Sequence, residues 1–545
     1  MDEVVRTPAN ENPWYVLMTL HGEQEIGALN SERHRDNREA WNTILQRGSG
    51  PMSDKARESG ITLPPSGDWH KEHRSIEALW LAEYQSRNAG VEWPTEFSYE
   101  TWPCDLSRLH FVRPVHLHGF FLPKGAIFDG SNFSEGLMAN TAFFGGRLSL
   151  IDATLKDDLK CEVAHFEDGV NLTKAVLSKD ASFSEATVIG DFITDQLEVA
   201  GGLKCKMMTI DGTINAVEMT VERDTSFEDA SCSGAASFRD STFKRKAGFE
   251  KAKFGGDLDF DGTIVDGRLS FHEATIDGRA SFKGRSGFQK ERETAHFGTK
   301  ALFSAAHFKG RVDFYLRRFG PPEANAPRAT VLTFANAMFE QPVSFEAAIF
   351  PDLMPVLSNT TLPASTRVTA RDTHWPLIHI GWRQGRIAHE QNAEIAKESA
   401  AALRHAMNRQ SLPEEEHFFF AREMHHAARI GGQLQRLPYR LFGWISGYGG
   451  SIERPAFGLL WLFIAPLGVY FASLGPAGGA AFGKAAGLSF ASIFKFLGFQ
   501  RTYFGAVGIQ EMHWIVQLLT ATQTVLAFIL LFFLGLGLRT RFRLR

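Results

Sequence analysis

Residues 227–282 read FEDASCSGAASFRDSTFKRKAGFEKAKFGGDLDFDGTIVDGRLSFHEATIDGRASF. Phe227, Phe238, Phe249, Phe260, Phe271 and Phe282 follow one another at intervals of eleven. A second series, Phe243, Phe254, Val265 and Ile276, is interleaved so that the steps alternate between five and six. The phase extends backward. One series passes through Leu117, Phe128, Ala139, Leu150, Cys161, Leu172 and Phe183, the other through Phe111, Leu122, Phe133, Phe144, Leu155 and Phe166. After a slip near Gly287 it resumes at Phe297, Phe303, Phe308, Phe314 and Phe319. Beyond a Pro-rich insert at 321–328 it returns as Phe334, Phe339, Phe345 and Phe350.

On a helix, steps of five and six fall on opposite sides, so these side chains would not share a face. A flat strand fails too, because odd and even steps point to opposite sides. The pattern therefore demands a bend at every step, with each short segment sending one large side chain inward. Asp266-Gly267 and Asp277-Gly278 are turn dipeptides, and small residues two places before a large one (Ala126, Ala142, Ala153, Ala164, Ala274) leave room in a narrow tube. The expected fold is a squared coil, a β-solenoid, over 111–350.

The stretches Gly125-Ala-Ile-Phe128, Ala274-Thr-Ile276 and Ala335-Asn-Ala-Met-Phe339 resemble the repeat of the pentapeptide-repeat family, with Phe in place of the usual Leu. The resemblance covers just under half of the chain. It implies a right-handed quadrilateral β-helix, mainly β, here with one residue inserted at alternate faces. Four faces make a coil of 22 residues, and about eleven coils at roughly 4.8 Å each make a rod of about 50 Å.

A chain of 545 residues is expected to hold more than one region. Residues 1–110 lack the repeat and read as a helical cap over the first coil, packed by Trp14, Trp41, Trp80 and Trp93. Within it 12–20 reads as a strand or a short helix, 37–45 and 70–88 as helices, and 48–67 as a loop. Residues 351–385 read as a connector and 386–432 as a helical hairpin, its second helix opened by the capping-box pattern Ser411-Leu-Pro-Glu414.

Residues 433–545 read as a two-span membrane domain. Pro455–Leu474 and Trp514–Leu538 carry no charge and are long enough to cross a bilayer. Arg436, Arg440 and Arg454 precede the first run and Arg539, Arg541, Arg543 and Arg545 follow the second. The positive-inside bias therefore places both termini and the solenoid in the cytosol, on the cytoplasmic membrane. Residues 488–499 are apolar but too short to span, and read as an interfacial or a re-entrant helix. In the second span Gln517, Thr520, Gln523 and Thr524 must face protein or water, so they either pack helices or line a pore. Tyr448-Gly-Gly-Ser-Ile-Glu-Arg-Pro455 before the first span and Leu536-Gly-Leu-Arg-Thr-Arg-Phe-Arg543 at the end of the second resemble the C-terminal region of bacterial membrane-anchored pentapeptide-repeat proteins, a likeness that covers about 430–545 and implies a two-span, channel-like region.

Other chemistry finds little support. Cys161, Cys205 and Cys232 occupy inward ladder positions and Cys104 completes no CxxC pair, so neither a disulfide framework nor a metal set is expected. The histidines at 374, 379, 389, 405, 417, 425 and 426 show no ligand spacing. No nucleophile or phosphate motif appears, so no enzyme and no cofactor are expected. Outward carboxylates such as Asp257, Asp259 and Asp261 read as solvated surface. Residues 111–350 hold 33 acidic and 28 basic side chains, far too balanced to imitate DNA, so a topoisomerase partner is disfavoured and no nucleic-acid binding is expected. The expected protein is a membrane scaffold meeting a lipid bilayer, a cytosolic protein and other copies of itself. The alternative is a subunit of an oligomeric two-span channel.

Overall fold

The computed structural model describes residues 6–64, 69–94, 97–285, 295–320, 331–351, 354–362, 367–376, 386–473, 478–502 and 512–542, with backbone only at 69–71, 386–390 and 478–480. The chain divides into two compact units, Met1–Ile378 and His379–Arg545.

The first unit is a four-sided parallel β-solenoid of about eleven turns preceded by helices. Its short strands line up in four parallel sheets of 11, 12, 10 and 10 strands, each strand paired with the fourth before and the fourth after it. Up to the slip near Gly287 the register is constant: Phe111 pairs with Phe133, Phe144 with Phe166 and Asp259 with Ser281, each 22 residues on. The eleven-residue series therefore divides between two sheets. Phe227, Phe249, Phe271, Phe303 and Phe334 form one stack of near-parallel rings, with centroids 4.9–5.5 Å apart. Phe238, Phe260, Phe282, Phe314 and Phe345 form the other, and neighbouring rings of the two stacks meet edge to face, as Phe238 and Phe249 do at 5.2 Å.

Two kinds of corner account for the five–six alternation. Within each five-residue step one residue adopts φ near +55°, and these recur every eleven residues from Arg108 through Asp152, Val163 and Asp229 to Glu273. The tube enforces this conformation even on a β-branched Val. The six-residue step uses its extra residue to bring backbone against backbone. At Gly212 a Cβ would stand 2.1 Å from Gly190 O of the preceding coil, so a side chain is excluded there.

Where the inward centre is small (Ala139, Cys161, Thr194, Cys205, Ala216), the residue two before it is large: Leu137, Leu159, Phe192, Leu203, Ile214. All ten are buried. Elsewhere both positions are large, as at Leu148 and Leu150 or Leu258 and Phe260, so a small residue two before a large one is not a requirement of the tube.

The solenoid exceeds its expected bounds at both ends. It begins at strand Cys104–Asp105, which pairs with Ala126–Ile127, and Leu109–Phe111 pairs in turn with an N-terminal strand, Thr7–Pro8. Residues 351–376, expected to be a connector, continue the ladder: Val343 pairs with Val368, Met338 with Thr361 and Ile349 with His374. Trp375 stacks on Phe350 at 4.8 Å. Irregular spacing hides these coils, because the register there is 23 to 25 residues rather than 22. The slip near Gly287, itself outside the described residues, lengthens one coil, so Thr275 pairs with His307, 32 residues on. Where the ladder steps over that insert, Arg317 points inward at a place held by Thr263 and Ala295 in the neighbouring coils. It is fully buried and donates to Phe260 O, Thr263 O, Phe282 O and Lys283 O at 2.6–2.7 Å, with its guanidinium 4.3 Å over the Phe297 ring.

The cap comprises α1 (Pro13–Met18), α2 (Ser31–Leu45), α3 (Gly50–Glu58) and α4 (Trp69–Arg87). Residues 12–20 are thus helical, and the expected 48–67 loop contains α3. Trp14, Trp41, Trp80, Trp93 and Phe97 form one aromatic cluster. From α2 the Asn42 amide accepts from Phe121 N and donates to Gly119 O, while Trp41 Nε1 donates to Phe121 O. Side chains thus satisfy the open backbone edge of the first coil.

The second unit is helical: α5 (Arg386–Arg409), α6 (Pro413–Ala427), α7 (Gln433–Ser446), α8 (Glu453–Ile464), α9 (Leu467–Ser473), α10 (Gly478–Ile493) and α11 (Trp514–Phe542). Helices α5 and α6 pack against each other. The expected capping box does not form: Leu412 holds the cap position, with no side-chain cap bond, and Ser411 turns the chain at φ +57°. The first span is broken at Ala465–Pro466. The first half of the apolar run 488–499 is the end of α10, which starts ten residues earlier in the Gly/Ala stretch; Lys495–Leu497 in the second half form a 3-10 turn.

Candidate functional site

The pyrrolidine of Pro466 has no N–H, so inside an apolar helix it leaves Leu462 O without its usual partner. In a medium without water such a group must be satisfied by neighbouring segments. Gln523 of α11 does this: its Nε2 donates to Leu462 O at 3.0 Å, and also to Ser489 O and Ser489 Oγ of α10. Ser489 Oγ donates in turn to Phe463 O at 2.8 Å. Tyr470 of α9 donates its hydroxyl to Gln523 Oε1 at 2.7 Å. Ala485, Leu488 and Val516 close round Tyr470 as an apolar collar. One amide therefore ties four helices together at the break.

The other polar residues expected in this span also bond within their own chain. Thr524 Oγ1 lies within hydrogen-bond distance of Ser492 O, at 3.0 Å, and Thr520 O, at 2.8 Å. Thr520 Oγ1 donates to Gln517 O, and Gln517 Nε2 to Met512 O. Thr520 and Gln523 are buried. Sequence reasoning marked all four residues but not their partners; the available signal was Pro466 in the middle of an uncharged run. The arrangement locks helices together.

On the solenoid the outward carboxylates are stitched to the next coil rather than simply solvated. Asp257 Oδ1 accepts from Arg279 N at 2.7 Å, Asp261 Oδ1 from Ser281 Oγ and Lys283 N, and Asp259 pairs with Arg239. Thr213 hydroxyl and N–H donated to Asp191, and Gly202 N–H with Lys204 at Asp180, hold these two carboxyls below the usual carboxylate range. Phe128, Phe133, Phe144, Phe166 and Phe183 are buried with the rest of the ladder. Cys104, Cys161, Cys205 and Cys232 are free and buried, and burial raises their pKa, that of Cys232 to about 11.

Of the seven histidines singled out, His379 lies outside the described residues, as does the His389 side chain, and His374 belongs to the ladder. Among the described residues no three His, Cys, Asp or Glu side chains converge as a metal set. Sequence reasoning passed over another group, where the cap meets the first coil. There the rings of His34, His116 and His118 lie 5.6–6.3 Å apart, and burial lowers all three, His116 to about 4.

Residues 216–264 and 227–275 match the family model described as pentapeptide repeats (9 copies). Residues 216–275 of the solenoid are thus similar to pentapeptide repeats. The matched segment contains part of the regular Phe stacks, and the same four parallel sheets continue through the coils on either side of it. No curated protein and no solved structure matches the chain.

Proposed function

We propose that this is a non-enzymatic integral membrane protein of the cytoplasmic membrane, presenting its pentapeptide-repeat β-helix in the cytosol as a binding and scaffold module. In this reading α8–α9 and α11 anchor it, both termini are cytosolic, copies associate, and a cytosolic protein is the partner. The observation that carries the reading is the exposure of two apolar helices. Glu453–Ser473 and Trp514–Phe542 are long enough to span, yet only 11% and 17% of their most apolar stretches are buried. A soluble core helix would be covered, whereas Phe457, Trp461, Phe528 and Phe532 are exposed. Arginines at the outer ends of both spans support the orientation. Pentapeptide-repeat solenoids are generally structural or binding modules rather than enzymes. A channel would need Gln517, Thr520, Gln523 and Thr524 to line a lumen, but bonds within one chain engage all four.

The test is alkaline carbonate extraction of membranes carrying the full chain, with ion flux measured after reconstitution into liposomes. Retention in the membrane with silent flux is expected. Release by carbonate would sink the anchor, and a steady conductance would move the reading to a channel.

A further inference from the structure

Helix α7 exposes Leu434, Leu437, Leu441 and Trp444, spaced three, four and three apart, with Leu434 87% and Trp444 78% accessible. Arg436 and Arg440 are interspersed among them. An apolar stripe on a basic helix just before a span is the signature of a segment lying in the membrane interface. Between α7, α8 and α11 runs an open groove of about 1070 Å³, walled by Leu441, Trp444, Phe457, Trp461, Leu526 and Ile529 among other apolar residues.

One charged residue, Arg454, borders this groove. Its Nη1 donates to Gly443 O at 2.9 Å, which fixes the guanidinium at the groove's edge. The side chain is otherwise exposed, and no carboxylate pairs with it among the described residues. Packing brings further positive charge to the same end. Gly537 of α11 lies so close to Ser451 that a Cβ would stand 3.0 Å from Ser451 O, and Arg539 and Arg541 follow within one turn. A wall of carbon ending in an exposed guanidinium with no carboxylate partner among the described residues, beneath a basic zone, complements a chain of methylenes ending in a phosphate.

We propose that this groove is a binding site for an anionic phospholipid, with one acyl chain between α7 and the two spans and the phosphate on Arg454. The inference rests on the reading that α8–α9 and α11 cross a bilayer. It goes further in assigning the lipid a place and a charge preference.

The full chain is reconstituted into nanodiscs of equal phosphatidylglycerol and phosphatidylcholine, stripped with mild detergent and weighed by native mass spectrometry. The wild-type chain retains phosphatidylglycerol over phosphatidylcholine by about fivefold, the factor for one arginine near an anionic surface. Arg454→Gln brings the two lipids to parity. Leu441→Gln lowers retention of both, and Arg454→Lys, which keeps the charge but not the fork, restores part of the preference. Equal retention by the wild type, or a preference unchanged in Arg454→Gln, overturns the proposal. So does a lipid-free dimer, which would mean that a second copy covers the groove. Carbonate release of the chain would instead overturn the spanning reading, and firm insertion without lipid preference only the lipid site.

Discussion

Arg317 shows how one residue can support a break in a repeat. Burial pulls its guanidinium down to about 9, still charged at neutral pH, and four carbonyls replace the water it has lost. Arg317→Met keeps volume but leaves those carbonyls without their donor. It should cost about 3 kcal/mol or more, read as a lower urea midpoint of the β signal; an unchanged midpoint would refute the assignment. The ladder phase marked position 317 as inward, two before Phe319. The sequence could not say that an Arg would be tolerated there, because its acceptors lie 34 to 57 residues away. His426 is the opposite case: fully buried, neither ring nitrogen partnered, and depressed to about 3 by burial and then by His425, Arg429 and Arg422. Because the unfolded value is about 6.5, the unfolded chain binds a proton that the folded one refuses between about pH 6.5 and 3. Stability of the helical unit therefore falls as pH drops through that window. His426→Leu should add about 1–2 kcal/mol at pH 7 and reduce the acid loss, measured by thermal unfolding of the helical signal at pH 7 and 4.5.

Among the elements, the broken first span and α10 depart most from expectation. An uncharged run predicts an unbroken helix until Pro466 is weighed. The run 488–499 reads as a short helix by itself, but α10 draws its first turns from the Gly/Ala stretch before it. Small residues there allow α10 to approach α8, α9 and α11, and Ser489 and Ser492 bond across the contacts. Gln523→Leu should therefore loosen the junction by about 1–2 kcal/mol, seen as a lower melting temperature in detergent. Thr522→Val, on the exposed side of α11, should leave it unchanged. If both variants melt alike, the junction does not hold the helices. Corners were more legible than spans. The extra residue of the six-step was visible in the sequence, and its use at Gly212 follows from the coil spacing of roughly 4.8 Å.

For the whole molecule, the two units differ in what their surfaces require. Among its described residues, Met1–Ile378 covers its core with its own cap at one end and stacks Trp375 on Phe350 at the other. Expressed alone, residues 1–378 should be soluble without detergent, give a β-rich circular dichroism spectrum and unfold cooperatively. Aggregation of that fragment would mean that the remaining helices complete its core. His379–Arg545, with its exposed Phe, Trp and Leu, should need detergent or lipid.

The period, the inward positions and the number of faces were legible in the chain alone, because a solenoid pairs each residue with one at a fixed separation and so writes its geometry as a period. The two apolar runs were legible because spanning length is set locally, by rise per residue. Whatever depends on residues meeting at no fixed separation was decided only by tertiary structure. The end coils with their irregular register, Arg317 among four carbonyls, and Gln523 satisfying the carbonyl that Pro466 frees are such cases. Each is a polar group finding its partner across a fold, and no local pattern records where that partner lies.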